Sequence, residues 1–142
     1  MKPLMKPLMK PLTYIYKNPC QVSSIVLVST LPFTIYRKNY GYLITQMPIS
    51  CTTFLYHHNF NIKNIKIIDI TIGQFAFWHH FLYAIHYNNI LSIFAFTLCP
   101  ILYAMSQYLK YNQKIHKSNI IHSFIHYCLS IAALSLNAQN QY

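Results

Sequence analysis

Two histidines spaced four residues apart give the clearest chemical signal in this sequence of 142 residues. They form the segment His122-Ser-Phe-Ile-His126. In an α-helix, residues four apart lie one turn above each other on the same face, so both imidazoles can reach one metal ion. The best candidates to complete a site with this pair are Asp69, which is the only acidic residue, and His57.

Three neutral imidazoles with one open coordination position form the kind of site that catalytic zinc uses. Asp69 could accept a proton from a zinc-bound water or orient a ligating imidazole. Thr53 lies one helical turn before His57, so its hydroxyl could bond the water or a substrate carbonyl. The hypothesis is therefore a zinc site with His57, His122 and His126 as metal ligands, and with Asp69 and Thr53 as catalytic groups.

The composition is that of a membrane protein. Hydrophobic residues make up 54% of the chain and charged residues only 8%, and the apolar residues fall in blocks. The formal net charge is +10, but the positive residues cluster between apolar segments instead of alternating with acids, so nucleic-acid binding is not expected. The four cysteines are isolated, which argues against a disulfide framework or a thiolate zinc site.

The helices that would position the site follow from the apolar blocks, because a spanning helix needs about 20 mostly apolar residues. We predict an all-α bundle of about five transmembrane helices, within a helical domain at 20–137. A disordered basic tail with MKPL repeats is expected at 1–19, and a short tail at 138–142. The predicted spans are Cys20–Tyr36, Tyr40–His57, Ile65–Tyr87, Ile90–Leu109 and Asn119–Leu136.

Lysines and arginines are distributed unequally between the two sides of this predicted topology. Nine lie on the side of the amino terminus and two, Arg37 and Lys38, on the other. The positive-inside rule then predicts a cytosolic amino terminus. Alternating threading would bring the candidate site residues of the second, third and fifth helices to similar depth in the cytosolic leaflet.

The same residues resemble motifs of the CREST superfamily, which includes adiponectin receptors and alkaline ceramidases. The matching stretches are Thr53-Phe-Leu-Tyr56-His57, Ile68-Asp69-Ile70 and His122-Ser-Phe-Ile-His126. The resemblance implies zinc on the three histidines, with Asp69 and the Thr53 hydroxyl around the attacking water, and hydrolysis of a lipid amide such as ceramide.

Two differences separate this chain from the family pattern. Thr53 replaces the family's serine, which keeps the hydroxyl and adds a methyl group. One helix, Ile90–Leu109, stands where the family has three between the aspartate helix and the HxxxH helix. The chain would be a shortened five-helix member, and its substrate cavity would be incomplete without a homo-oligomer.

The sequence leaves open whether the chain is an enzyme. The leading hypothesis is a zinc-dependent hydrolase of a lipid amide or ester in the bilayer. The alternative is a small non-catalytic membrane protein whose polar groups serve packing, partner binding or assembly, with Asp69 simply paired to Lys66. A degenerate family member would keep the geometry without turnover. Haem binding is disfavoured, because the histidines of different helices do not lie at matched depth.

Overall fold

The computed structural model describes residues 18–58 and 64–139, and over these residues the fold is all-α. The helices are α1 (Pro19–Ser29), α2 (Leu31–Tyr36), α3 (Tyr40–His57), α4 (Ile65–His86), α5 (Ile90–Tyr111) and α6 (Ile115–Gln139). α1 and α2 form one segment, Pro19–Tyr36, which is interrupted at Thr30. Pro32 explains the interruption, because proline lacks the amide hydrogen that a continuous helix needs. The described chain therefore contains five helical segments, which confirms the predicted all-α bundle.

The expected amino-terminal tail, apart from its last two residues, and most of the expected carboxyl-terminal tail lie outside the described residues. At the edges of the helical domain, α1 begins at Pro19 and α6 continues to Gln139. Each end lies one or two residues beyond the predicted domain limits of 20 and 137, which is the usual uncertainty of a helix boundary.

Three helical segments in the described part of the chain are long and apolar enough to cross a membrane. They are Pro19–Tyr36, Ile90–Tyr111 and Ile115–Gln139, with mean hydropathies of 1.3, 1.7 and 1.4. The other two predicted spans occur as helices α3 and α4, but they fall short in apolarity. The structure thus fits an integral membrane protein, and its two more polar helices are among those that carry the candidate site.

Hydrogen bonds between helices fix their directions. The pairs are Ser106–Ser118 and Ser92–Ala132 between α5 and α6, Thr53–Asp69 and Thr45–His80 between α3 and α4, and Ser23–His126 and Thr34–Asn137 between the first segment and α6. Between α5 and α6, and between α3 and α4, residue numbers rise along one helix as they fall along the other, so the helices of each pair are antiparallel. Between the first segment and α6 the residue numbers rise together, so these two are parallel. Alternating threading of five segments requires this arrangement.

The helices close into a ring. α1 packs on α6 and α3, α3 on α4, α4 on α5, and α5 on α6. The end of the ring at which α3 and α5 finish and α4 and α6 begin is called the site end below. The hydrophobic core lies toward the opposite end, where its largest fully buried side chains are Tyr42, Phe96 and Leu136. The interior also holds two cavities, and the first of them extends from the site end as far as Tyr42 and Ala133 of this core.

Candidate metal centre and its two cavities

Three histidines meet at the site end. His57 is the last residue of α3, and His122 and His126 lie on one face of α6. The His57 ring centroid lies 5.4 Å from that of His122 and 5.0 Å from that of His126, and the latter two are 5.2 Å apart. One ring nitrogen from each residue lies within 4.8 Å of the others, so the group could hold a metal ion.

The three histidines suit zinc in both chemistry and spacing. Zinc–nitrogen bonds of about 2.0–2.1 Å in a tetrahedral site place neighbouring nitrogens about 3.3 Å apart. The rings would have to close by at most about 1.5 Å, which is within reach of side-chain rotation. His57 Nε2 is buried and has no hydrogen-bond partner among the described residues. A buried nitrogen without a partner is costly in a bundle interior, and a metal ion would satisfy it.

Ser23 on α1 orients the imidazole of His126. The Ser23 hydroxyl donates to the carbonyl of Cys20 at 3.2 Å, and its oxygen lies 2.7 Å from His126 Nδ1. When the single hydroxyl hydrogen bonds the Cys20 carbonyl, the hydroxyl oxygen is free to accept a hydrogen bond from Nδ1–H. This tautomer leaves Nε2 with a free lone pair, which is the form that binds a metal. Both side chains are buried, with His126 only 4% exposed.

Asp69 on α4 is held by two threonine hydroxyls of α3. Thr53 Oγ1 donates to Asp69 Oδ1 at 2.8 Å, and Thr52 Oγ1 donates to the same oxygen at 3.0 Å. Asp69 does not form the ion pair with Lys66 that the sequence left open. The two threonine hydroxyls bond its carboxylate instead. Asp69 Oδ2 receives neither of these two bonds.

The candidate site separates two cavities inside the ring. The first has a volume of about 240 Å³ and is lined mainly by apolar side chains from every segment of the ring. Along α4 it extends from Asp69 to His80, eleven residues or about 16 Å. The second has a volume of about 180 Å³, lies at the site end and is more polar, with Lys66 and Lys110 among its lining residues.

Four residues line both cavities: Asp69, Ile70, Tyr103 and His122. His126 lines only the first cavity and His57 only the second. The imidazole cluster therefore lies at the junction of an apolar space and a polar space. An amphiphilic molecule that occupied both would pass directly beside Asp69 and the histidines.

The structure brings all five residues singled out from the sequence to this junction. His57, His122 and His126 form the cluster, and Thr53 contacts Asp69, which lies in the same cavity walls as His122. Sequence reasoning missed Ser23 and Thr52. Thr52 could have been suspected as the neighbour of Thr53, but a lone serine on α1 carries no spacing signal.

Comparison with models of protein families, with curated proteins and with solved structures found no match. The resemblance to the CREST superfamily thus rests on the three motifs, and the functional argument rests on the geometry of the site.

Proposed function

We propose that this protein is an integral membrane hydrolase that uses zinc to cleave a lipid amide or ester. The observation that carries the proposal is that three imidazoles form a group able to hold a metal at the junction of an apolar and a polar cavity, and that Asp69, the only acidic side chain, lines both cavities together with His122. A lipid has the same division, with an apolar chain joined to a polar group through an amide or ester. Its chain would fill the first cavity, and its scissile bond would lie beside His122 and Asp69.

His57, His122 and His126 would hold the metal. Bound zinc supplies a Lewis acid that polarises a carbonyl and acidifies a water molecule. Asp69 would take one proton from the attacking water and return it to the leaving group. The water oxygen joins the acyl carbon, the carbon–oxygen or carbon–nitrogen bond breaks, and the products are a fatty acid and an alcohol or amine.

Thr52 and Thr53 act in this scheme through Asp69. Both hydroxyls bond one carboxylate oxygen, which fixes the carboxylate plane and leaves the second oxygen for the water proton. Preorganised catalytic groups of this kind avoid rearrangement during the reaction. The two threonines are thus positioning residues, and Asp69 is the general base.

The rival function is a non-catalytic membrane protein whose polar groups only join helices. The opposite end of the ring gives it a specific basis, since Asn137 donates to Thr34 at 2.7 Å, Thr34 donates to Gln46 at 2.6 Å, and Asn39 donates to Asn137 at 3.0 Å. That network needs no ligand. The site end differs in two respects: His57 Nε2 is buried without a hydrogen-bond partner among the described residues, and both cavities reach it. Both features favour a ligand there.

Zinc content and hydrolysis test the proposal together. The protein is purified in detergent without chelators, as wild type, His122→Ala and His116→Ala. His116 is a matched control, because it is an exposed histidine on the same helix. We expect about one zinc per chain in wild type and in the control, and a large loss in His122→Ala.

Hydrolysis is then measured with long-chain amide and ester substrates in mixed micelles. Fatty-acid release by wild type and His116→Ala, and not by His122→Ala, supports the hydrolase. A wild type free of zinc refutes the metal site. A wild type that holds zinc but releases no fatty acid from either substrate supports the non-catalytic rival.

A further inference from the structure

Two lysines line the second cavity, and neither forms an ion pair within the described residues. Lys66 lies in the first turn of α4 and Lys110 in the last turn of α5, so both extend from the site end of the ring. The sequence contains a single acidic side chain, Asp69, and its carboxylate is already bonded by Thr52 and Thr53. Asp69 also lines the second cavity, so two lysine cations share one carboxylate there, and these three charged side chains leave a net positive charge.

We infer that the second cavity binds the phosphate-bearing headgroup of an anionic lipid. This inference rests on the proposed function in one respect, because it takes the bound lipid to be the substrate. Lysine ammonium groups are common phosphate binders, and cationic side chains at a membrane surface attract anionic lipids. Gln107 and Asn119 also line the cavity and supply side-chain amides that can donate to phosphate oxygens.

The shared wall of the two cavities favours a lipid over a free phosphate ion. The second cavity shares Asp69, Tyr103 and His122 with the first, so a headgroup between the lysines would lie directly across this shared wall from the apolar space. A lipid phosphate is linked to its acyl chains through ester bonds a few atoms away. Those bonds would fall at the junction, and an acyl chain would continue into the first cavity. Inorganic phosphate would use the second cavity alone.

Lipid retention in native mass spectrometry tests this without requiring turnover. Delipidated protein in detergent and chelator is titrated with phosphatidic acid, phosphatidylcholine and diacylglycerol that carry the same acyl chains. Wild type is compared with Lys66→Ala/Lys110→Ala and with Lys114→Ala/Lys117→Ala. The second pair is a matched control, because it removes the same charge from exposed positions near the same end and does not line the cavity.

We expect wild type and the control to prefer phosphatidic acid, and Lys66→Ala/Lys110→Ala to lose about 30-fold in its affinity for that lipid. This loss corresponds to about 2 kcal/mol at 1.4 kcal/mol per tenfold, or about 1 kcal/mol per lysine. Lys66→Arg/Lys110→Arg should keep the preference, which shows that charge and not a folding defect is responsible. Equal losses in the two alanine pairs would overturn the inference, as would equal binding of all three lipids by wild type.

Further outcomes distinguish a lipid phosphate from a free phosphate ion, and the headgroup proposal from the hydrolase proposal. Displacement of phosphatidic acid by equimolar inorganic phosphate would show a site for the free ion and overturn the lipid assignment; resistance to it supports the lipid. Lysine-dependent retention by a protein that proves free of zinc when purified without chelators would support the headgroup site while refuting the hydrolase. An active zinc enzyme that binds the three lipids equally would support the hydrolase while refuting the headgroup site.

Discussion

Replacement of Ser23 by alanine is expected to weaken zinc binding although Ser23 is not a ligand. The change removes the acceptor that lies 2.7 Å from His126 Nδ1, while the surrounding helices keep the imidazole buried. Nδ1–H then has no partner, and the tautomer that places the lone pair on Nε2 loses its support. Loss of such a partner typically lowers metal affinity by about 10–100-fold.

The cost of an unsatisfied hydrogen-bond donor gives a second estimate of the loss in zinc affinity, and it is of similar size. Leaving a buried donor unsatisfied costs about 1–3 kcal/mol. At about 1.4 kcal/mol per tenfold, this range spans roughly 5-fold to 150-fold in an equilibrium constant. The cost falls on zinc binding to the extent that the metal requires the tautomer and ring position that Ser23 stabilises.

The assay is a zinc titration against a chromophoric chelator, with Ser24→Ala as the matched control. Ser24 is also fully buried, but its hydroxyl donates to the carbonyl of Gln21 within its own helix at 2.8 Å and it does not line either cavity. We expect Ser23→Ala to lose 10–100-fold in affinity and Ser24→Ala to stay near wild type. Equal affinities in the two variants would refute the argument that Ser23 fixes the His126 tautomer.

Three other predictions concern the base, the cavity and the core. Asp69→Asn should keep its zinc and lower the rate of fatty-acid release by about 10²–10⁴-fold, and loss of zinc instead would show that Asp69 acts on the metal site. Gly73→Leu should reduce hydrolysis of long-chain substrates more than of short-chain ones, because Gly73 lines the first cavity and a Cβ atom added there lies 3.3 Å from Ile49 Cδ1. An unchanged chain-length profile would place the acyl chain elsewhere. Phe96→Ala should lower the free energy of unfolding in detergent by about 3–5 kcal/mol, since Phe96 is 0% exposed, whereas Phe94→Ala, at 62% exposed, should change it little.

The convergence of the site could be predicted because it depends mainly on helix direction. Apolar blocks and short connections indicate alternating helices, and alternation alone puts the end of α3 and the starts of α4 and α6 at one end of the ring. His57, Asp69 and His122 could therefore be grouped from the sequence.

The partners of these groups depend on which helix faces meet, and the sequence does not show this. Ser23 reaches His126 because α1 packs parallel to α6, a helix about one hundred residues later, and neither helix carries a spacing pattern for that contact. Lys66 was the obvious partner for Asp69 by sequence distance. The rotation of α3 against α4 brings Thr52 and Thr53 to the carboxylate instead.

The number of helices between α4 and α6 explains how five segments can bring the candidate site residues to one end. Any odd number of helices returns the chain to the same end, so α5 alone preserves the direction that three helices would give. Direction does not by itself make a cavity, because the ring must also close. α5 closes it by packing on both α4 and α6, and its Cys99, Pro100 and Tyr103 form part of the wall of the first cavity. The resemblance predicts a substrate cavity that a second copy of the chain completes, and this stays a prediction; over the described residues, all five segments of one chain line the first cavity.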